Sequence, residues 1–171
     1  MTQADVGDVL DRLNAARIES WLDGGWGVDA LLGEQTRPHN DLDLIMRVED
    51  VAEMRRILAG DGFRLVTGEP DSNFVLRDDR GREIDVHPVR FAEDGNGIYR
   101  MENGDDWVFP AAGFAGAGRL GARPVRCLTA DVQMTDHSTG YEPGDTDFHD
   151  MRLLNARLGT TLLPPYDRPR D

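Results

Sequence analysis

The chain contains no lysine: all 19 of its basic residues are arginine. A Walker-type P-loop and a protein kinase both place a lysine on nucleotide phosphates, and a Schiff-base enzyme uses one covalently, so all three classes are excluded. Any phosphate clamp here must be built from arginine, backbone N–H groups and metal. Cysteine is almost as scarce. Cys127 stands alone, which rules out an intramolecular disulfide and a cysteine-rich zinc site and predicts a buried free thiol in a reducing compartment. No apolar run approaches the ~20 residues needed to span a bilayer, and the amino-terminal stretch is charged and amphipathic, unlike a signal peptide. We therefore expect a cytoplasmic protein with no membrane partner. Positive charge is also short. Against 19 basic residues stand 32 acidic ones, a net charge of −13 that argues against a nucleic-acid-coating surface and suits a cationic small molecule.

What is present is a mixed α/β pattern of 171 residues, enough for one domain with a real core. Residues 3–18 carry Val6, Val9, Leu10, Leu13 and Ile18 near helical spacing. Glu19–Asp23 reads as a strand, Trp26–Leu32 as a helix closed by Gly33, and Glu34–Asn40 as a loop. A strand follows over Asp41–Met46, then a helix over Val51–Ala59. Strands are expected at Phe63–Thr67 and at Asn73–Arg77, the second turning through Asp78-Asp79-Arg80-Gly81 into Glu83–Val89. Short strands around Ile98–Met101, Trp107–Phe109 and Arg123–Leu128 precede a helix capped by Thr129 and a last helix, started by Asp145 or Thr146 and stopped by Gly159. We read residues 1–159 as one domain, with a core of about 3–128, a helical part of about 129–159 and a proline-rich tail, 160–171, expected to be extended or mobile.

The chemistry concentrates between Trp21 and Met46. Side chains alternate along a strand, so Asp41 and Asp43 share a face with Cα atoms roughly 6.5 Å apart, close enough to share divalent metal. Upstream, Gly24-Gly25 opens a helix whose free N–H groups and dipole favour phosphate. A third acid, Asp85, lies in Glu83-Ile84-Asp85-Val86-His87, where Glu83, Asp85 and His87 share one face. If that strand lies beside Asp41 and Asp43, Asp85 reaches the same metals or takes a proton from an attacking hydroxyl. His87 is a candidate general base, metal ligand or substrate contact. Arg37 and His39, just ahead of the acidic strand, are candidates to meet phosphate, Arg37 the better because its charge is permanent and its fork bidentate.

Together, Trp21-Leu22-Asp23-Gly24-Gly25-Trp26-Gly27-Val28-Asp29, Arg37-Pro38-His39-Asn40-Asp41-Leu42-Asp43-Leu44 and Ile84-Asp85-Val86-His87-Pro88 resemble the antibiotic nucleotidyltransferases of the polymerase-beta-like superfamily. The lincosamide group is nearest and the aminoglycoside 2″-adenylyltransferases come next; Gly140-Tyr141-Glu142 and Asp147-Phe148-His149-Asp150 are similar to related enzymes as well. The resemblance spans roughly residues 3–158. It implies a nucleotidyltransferase fold, a mixed twisted sheet flanked by helices with a C-terminal helical addition. It also implies transfer of AMP from ATP, or of another nucleoside monophosphate, to a hydroxyl of a small antibiotic, conferring resistance. Asp41, Asp43 and Asp85 would hold Mg²⁺, with Asp85 or His87 as base, and Gly24, Gly25, Arg37 and His39 would contact the triphosphate. The wider superfamily often has serine after the first turn glycine; Gly25-Trp26 here narrows the branch.

The acceptor side is less sharply written. Residues 131–150 hold six acids and no arginine, an attraction for a substrate amine or simply a solvated face. Trp26, Tyr99, Glu102, Trp107 and Tyr141 are the candidates for substrate contact, with core packing the competing role for each aromatic. An acceptor on a protein or tRNA end, as in toxin–antitoxin nucleotidyltransferases, and a non-catalytic nucleotide-binding module are the competing readings. A monomer or a homodimer is expected, with no nucleic-acid partner.

Overall fold

The computed structural model describes residues 1–101, 103–140 and 142–168; Glu102 and Tyr141, two of the substrate candidates, lie outside the described residues. The chain runs α1 (Gln3–Ala15), β1 (Ser20–Leu22), α2 (Gly24–Leu32), β2 (Asp41–Arg47), α3 (Val51–Gly60), β3 (Arg64–Gly68), β4 (Phe74–Arg77), β5 (Glu83–Phe91), β6 (Gly97–Arg100), β7 (Asp106–Phe109), β8 (Ala117–Leu120), β9 (Arg123–Arg126), α4 (Ala130–His137) and α5 (Asp145–Leu158).

Local chemistry explains most of these boundaries. Thr2 and Asp5 form a capping box at the start of α1: Asp5 N–H donates to Thr2 Oγ1 at 3.2 Å, and Thr2 N–H donates to the Asp5 carboxylate at 2.9 Å. The Asp78–Gly81 turn forms as expected, closed by Gly81 N–H donating to the Asp78 carbonyl at 3.0 Å. Two boundaries differ from the sequence reading. Helix α2 begins at Gly24, two residues early, and α5 is capped by Gly144 rather than by Asp145 or Thr146. The cap of α5 is a glycine, which carries no side-chain signal, and Asp23 at the cap of α2 makes no side-chain capping bond.

A seven-stranded sheet carries the architecture, in the order β1-β2-β5-β4-β3, with β6 pairing the far half of β5 and β7 pairing β6. Among the described strands of this sheet, β2 and β5 pair in parallel and the remaining pairings are antiparallel. The long β5 is the hub because its first half pairs with β4 and its last residues with β6. One face of β2 and β5, through Leu42, Leu44, Met46, Ile84 and Val86, packs under α1 and α3 in the main core. The opposite face is acidic at its amino-terminal end and apolar further along, where Ile45 and Val89 join Trp21, Phe109 and Leu128 in a second core. That division is the binary pattern of the two strands made physical.

The hairpin β8–β9 packs on α2; β8, Ala117-Gly118-Arg119-Leu120, escapes a periodicity reading because its small residues carry little alternation. A third cluster joins α2, α4 and α5 through Val28, Met134, Met151 and Leu154. Tyr166, from the proline-rich segment after α5, completes it. Its ring is 1% exposed and stacks edge-on against Phe148 at 5.0 Å, and its hydroxyl donates to the His137 carbonyl. Burying an aromatic side chain of this size is worth about 1.5–3 kcal/mol, ample to hold a short segment down. Among the described residues, no helix is long and apolar enough to cross a membrane.

Candidate active site

The parallel pairing of β2 with β5 sets the site. In register, Asp41 stands opposite Glu83, Asp43 opposite Asp85, and Ile45 opposite His87. Asp43, Asp85 and His87 each offer a ligand atom, and these atoms lie within 4.8 Å of one another. Asp41, one pleat earlier on the same face, borders the same cavity but is not in that trio. Glu83 is drawn away by Arg77, whose Nη2 donates to both carboxylate oxygens at 2.9 Å. The His87 ring lies 3.9 Å from Asp85 and meets the Tyr99 ring edge-on at 5.4 Å, so β6 supports the histidine from the side.

Helix α2 closes the other side of the acids. Gly24 has φ +55°, and a Cβ there would come within 2.1 Å of Asp43 Oδ2, so only glycine lets the helix start against this carboxylate. At Gly25 a Cβ would meet His39 Nδ1 at 2.3 Å and Arg37 Nη2 at 2.6 Å. The two glycines therefore bring the amino end of α2 against an acid on one side and two basic side chains on the other. Arg37 is fixed by Asp150 of α5: Nε donates to Oδ1 and Oδ2 at 3.0 and 3.1 Å, and Nη2 to Oδ2 at 2.6 Å. His39 is 6% exposed; its Nε2 bonds Asp29 at 2.5 Å, while the other Asp29 oxygen accepts from Thr36 N–H and Oγ1 at 3.0 and 2.6 Å.

These groups border a cavity of 860 Å³ that also reaches Asp23, Asn73, Trp107 and Asp136. Its electrostatics are severe. Asp43 is pushed well above the usual carboxylate range by burial, then by Asp41, Asp23, Asp85 and Asp136. Asp85 is also raised by burial, partly offset by His87, with Asp41 and Asp23 adding to the rise. Asp136 is raised strongly by burial and by Asp23. Buried polar atoms without a hydrogen-bond partner gather here as well: among the described residues they include Asp23 Oδ1, Asn73 Oδ1, Asp85 Oδ1 and Trp107 Nε1, all on residues bordering the cavity. Crowded carboxylates with an orphaned oxygen fit a hard divalent cation, which takes carboxylate oxygen and substrate phosphate as ligands.

The sequence-predicted site residues are largely brought together. Asp41, Asp43, Asp85, His87, Gly24, Gly25, Arg37, His39, Tyr99 and Trp107 all border the one cavity. Trp26 borders the same cavity. Its residue packs in the main core, 1% exposed, with its ring 4.5 Å from the His39 ring. Asp23 and Asp136 were missed as individuals. Asp23 could have been found as the acid directly preceding the glycine pair, and Asp136 as a member of the arginine-free stretch 131–150.

Solved structures with this architecture include antibiotic adenylyltransferases. The lincomycin-bound lincosamide antibiotic adenylyltransferase LnuA superposes with a TM-score of 0.81 at 27% identity, covering 91% of this chain and 98% of that one. The enzyme ANT(2″)-Ia, in complex with adenylyl-2″-tobramycin, gives a TM-score of 0.72 at 23% identity over 92% of this chain and 89% of that one. The fold is that of a nucleotidyltransferase. More narrowly, the chain belongs to the aminoglycoside-2″-adenylyltransferase family, which matches residues 5–154. Relatives include the lincosamide resistance protein of Staphylococcus haemolyticus, 28% identical over 91% of this chain and 96% of that protein. A 2″-aminoglycoside nucleotidyltransferase of Klebsiella pneumoniae is 29% identical over 91% of this chain and 84% of its own length.

Proposed function

We propose that the chain transfers AMP from ATP to a hydroxyl of a small cationic antibiotic, releasing pyrophosphate, with a lincosamide favoured and an aminoglycoside next. The observation that carries this reading is Asp43 facing Asp85 across parallel strands, with the amino end of α2 and Arg37 on the same cavity. The lincosamide preference rests on two findings: the lincomycin-bound enzyme is covered over 98% of its length, and the lincosamide resistance protein over 96%.

Asp43 and Asp85, with Asp41 beside them, are the residues that would hold Mg²⁺. When bound, the ion offsets charge on the triphosphate and polarises its α-phosphoryl group. Everything else falls to the chain. The amide end of α2 at Gly24 and Gly25 and the guanidinium of Arg37 hold the phosphates, which accounts for catalysis without lysine. The acceptor enters from the side bordered by Tyr99, Trp107 and Asp136. Asp85, with the His87 ring 3.9 Å away, takes the proton of the acceptor hydroxyl. The hydroxyl oxygen forms its bond to the α-phosphorus as the bond to pyrophosphate breaks in line. The excess of acid around the cavity complements a protonated amine on the acceptor.

Incubation with ATP, Mg²⁺ and a panel of lincosamides and aminoglycosides, followed by mass spectrometry, tests the proposal. A product heavier by one adenylyl group supports it. Labelled ATP marking a macromolecule in a lysate while every drug stays unmodified would replace it with a protein or RNA acceptor.

A further inference from the structure

Arg37 spends much of its hydrogen-bonding capacity inside the protein. Of its five N–H donors, the one on Nε and one on Nη2 go to Asp150, and one on Nη1 goes to the Pro38 carbonyl at 3.2 Å. The bonds leave one N–H on each terminal nitrogen. Nη2 packs directly against Gly25, where a Cβ would stand 2.6 Å away, and the guanidinium borders the cavity with its side chain 22% exposed. Asp150 itself is 1% exposed and comes from α5, 113 residues further along the chain.

We infer that Asp150 is a positioning residue for the nucleotide. It grips Arg37 by one edge of the guanidinium so that the remaining N–H donors face the triphosphate at the amino end of α2. The inference rests on the nucleotidyltransferase reading and extends it to a residue of the C-terminal helix. A free arginine has many rotamers to lose when it meets a phosphate; one held bidentately by a buried carboxylate has already lost them. Helix α5 also places Thr146 and Asp147 on the cavity wall, so the helix that fixes Arg37 borders the site directly.

The competing account is a structural ion pair, which would change stability and leave nucleotide recognition alone. Calorimetric titration of the full chain with a non-hydrolysable ATP analogue in Mg²⁺, and separately with adenosine, separates the two. Asp150→Asn is expected to weaken the analogue about tenfold, the scale of one misaligned charge-assisted contact, with adenosine affinity unchanged. Asp150→Glu should recover part of the loss, and Asp150→Asn should add nothing in an Arg37→Ala background, since one residue acts through the other. Wild-type affinity for the analogue in Asp150→Asn, equal weakening of analogue and adenosine, or additive losses in the double variant would each overturn the inference. Should Asp150→Asn fail to fold, Asp150→Glu decides: selective weakening of the analogue supports the role, and unchanged affinity removes it. No acceptor is used, so an incorrect drug assignment leaves the outcome intact.

Discussion

Asp43 and Asp85 stand directly opposite each other on the one parallel strand pair of the described sheet. Both are raised by burial and by neighbouring acids, and Asp85 is among those that make Asp43 costly to ionise. A carboxyl whose folded pKa lies above its unfolded value contributes stability below the unfolded pKa and loses it as pH rises through the folded one. The metal-free protein should therefore be strained at neutral pH by its own site. Asp43→Asn removes that strain along with a ligand. We expect the variant to melt higher than wild type in EDTA at pH 7.5, by about 1–2 kcal/mol or roughly 3–8 °C, and to show no turnover. Near-normal adenylyl transfer by Asp43→Asn would end the proposed mechanism; a lower Tm would end the electrostatic account.

The same crowding predicts how the protein answers metal. Mg²⁺ should raise the wild-type Tm, and the rise should shrink as pH falls from 8 towards 5 and protons compete for the raised carboxyls Asp43 and Asp85. Asp85→Asn should blunt the response, because it removes one carboxylate of the Asp43–Asp85–His87 trio. Differential scanning fluorimetry across that pH range is sufficient. A metal-induced shift that grows on acidification would contradict the assignment.

Much of this site was legible before any coordinates. Asp41 and Asp43 on one strand, Asp85 and His87 on another, and the glycine-opened helix all come from local patterns of period two and of turn chemistry. The parallel pairing that makes Asp43 meet Asp85 was not legible, because it depends on a crossover through α3, β3 and β4. Nor was the Arg37–Asp150 bond, which links residues 113 apart and has no local signature.

Gly25 offers a steric probe of the nucleotide side. A methyl group there must displace the His39 ring or the Arg37 guanidinium, both within 2.6 Å of its position. The backbone there does not need glycine's positive φ, so the fold should survive Gly25→Ala. We expect KM for ATP to rise by about tenfold or more, with KM for the acceptor little changed. Steady-state kinetics with each substrate varied in turn will show whether the loss falls on the nucleotide.

Cys127 should be chemically silent. It is buried in the main core, and its thiol is pushed up to about 12 by burial and by the Asp23 carboxylate. Because the thiolate is the reactive form, native protein at pH 8 should give almost no reaction with Ellman's reagent and one equivalent after denaturation. Rapid labelling of the folded protein would mean that the β1–β9 region opens far more readily than its packing indicates. A substitution to serine should cost stability without touching turnover.

Acid sensitivity away from the site should arise at Asp78. Its carboxylate accepts from Arg80 N–H at 3.0 Å, Arg82 N–H at 2.9 Å and Arg82 Nε at 2.7 Å, and Asp78 is 7% exposed. Although burial raises its pKa, the hydrogen bonds and the charge of Arg82 outweigh burial and hold it below the ordinary value. A depressed carboxylate contributes stability that is fully present above its unfolded pKa and is lost as pH falls through the folded one. Asp78→Asn should therefore cost about 1–3 kcal/mol at pH 7, and the gap from wild type should close as pH drops below about 4. Because the turn sits at the start of β5, its loosening should disturb the strand that carries Asp85 and His87. Urea melts at pH 7 and pH 3.5 will register both effects; a constant difference at the two pH values would show that the turn is held by shape and not by the carboxylate's charge.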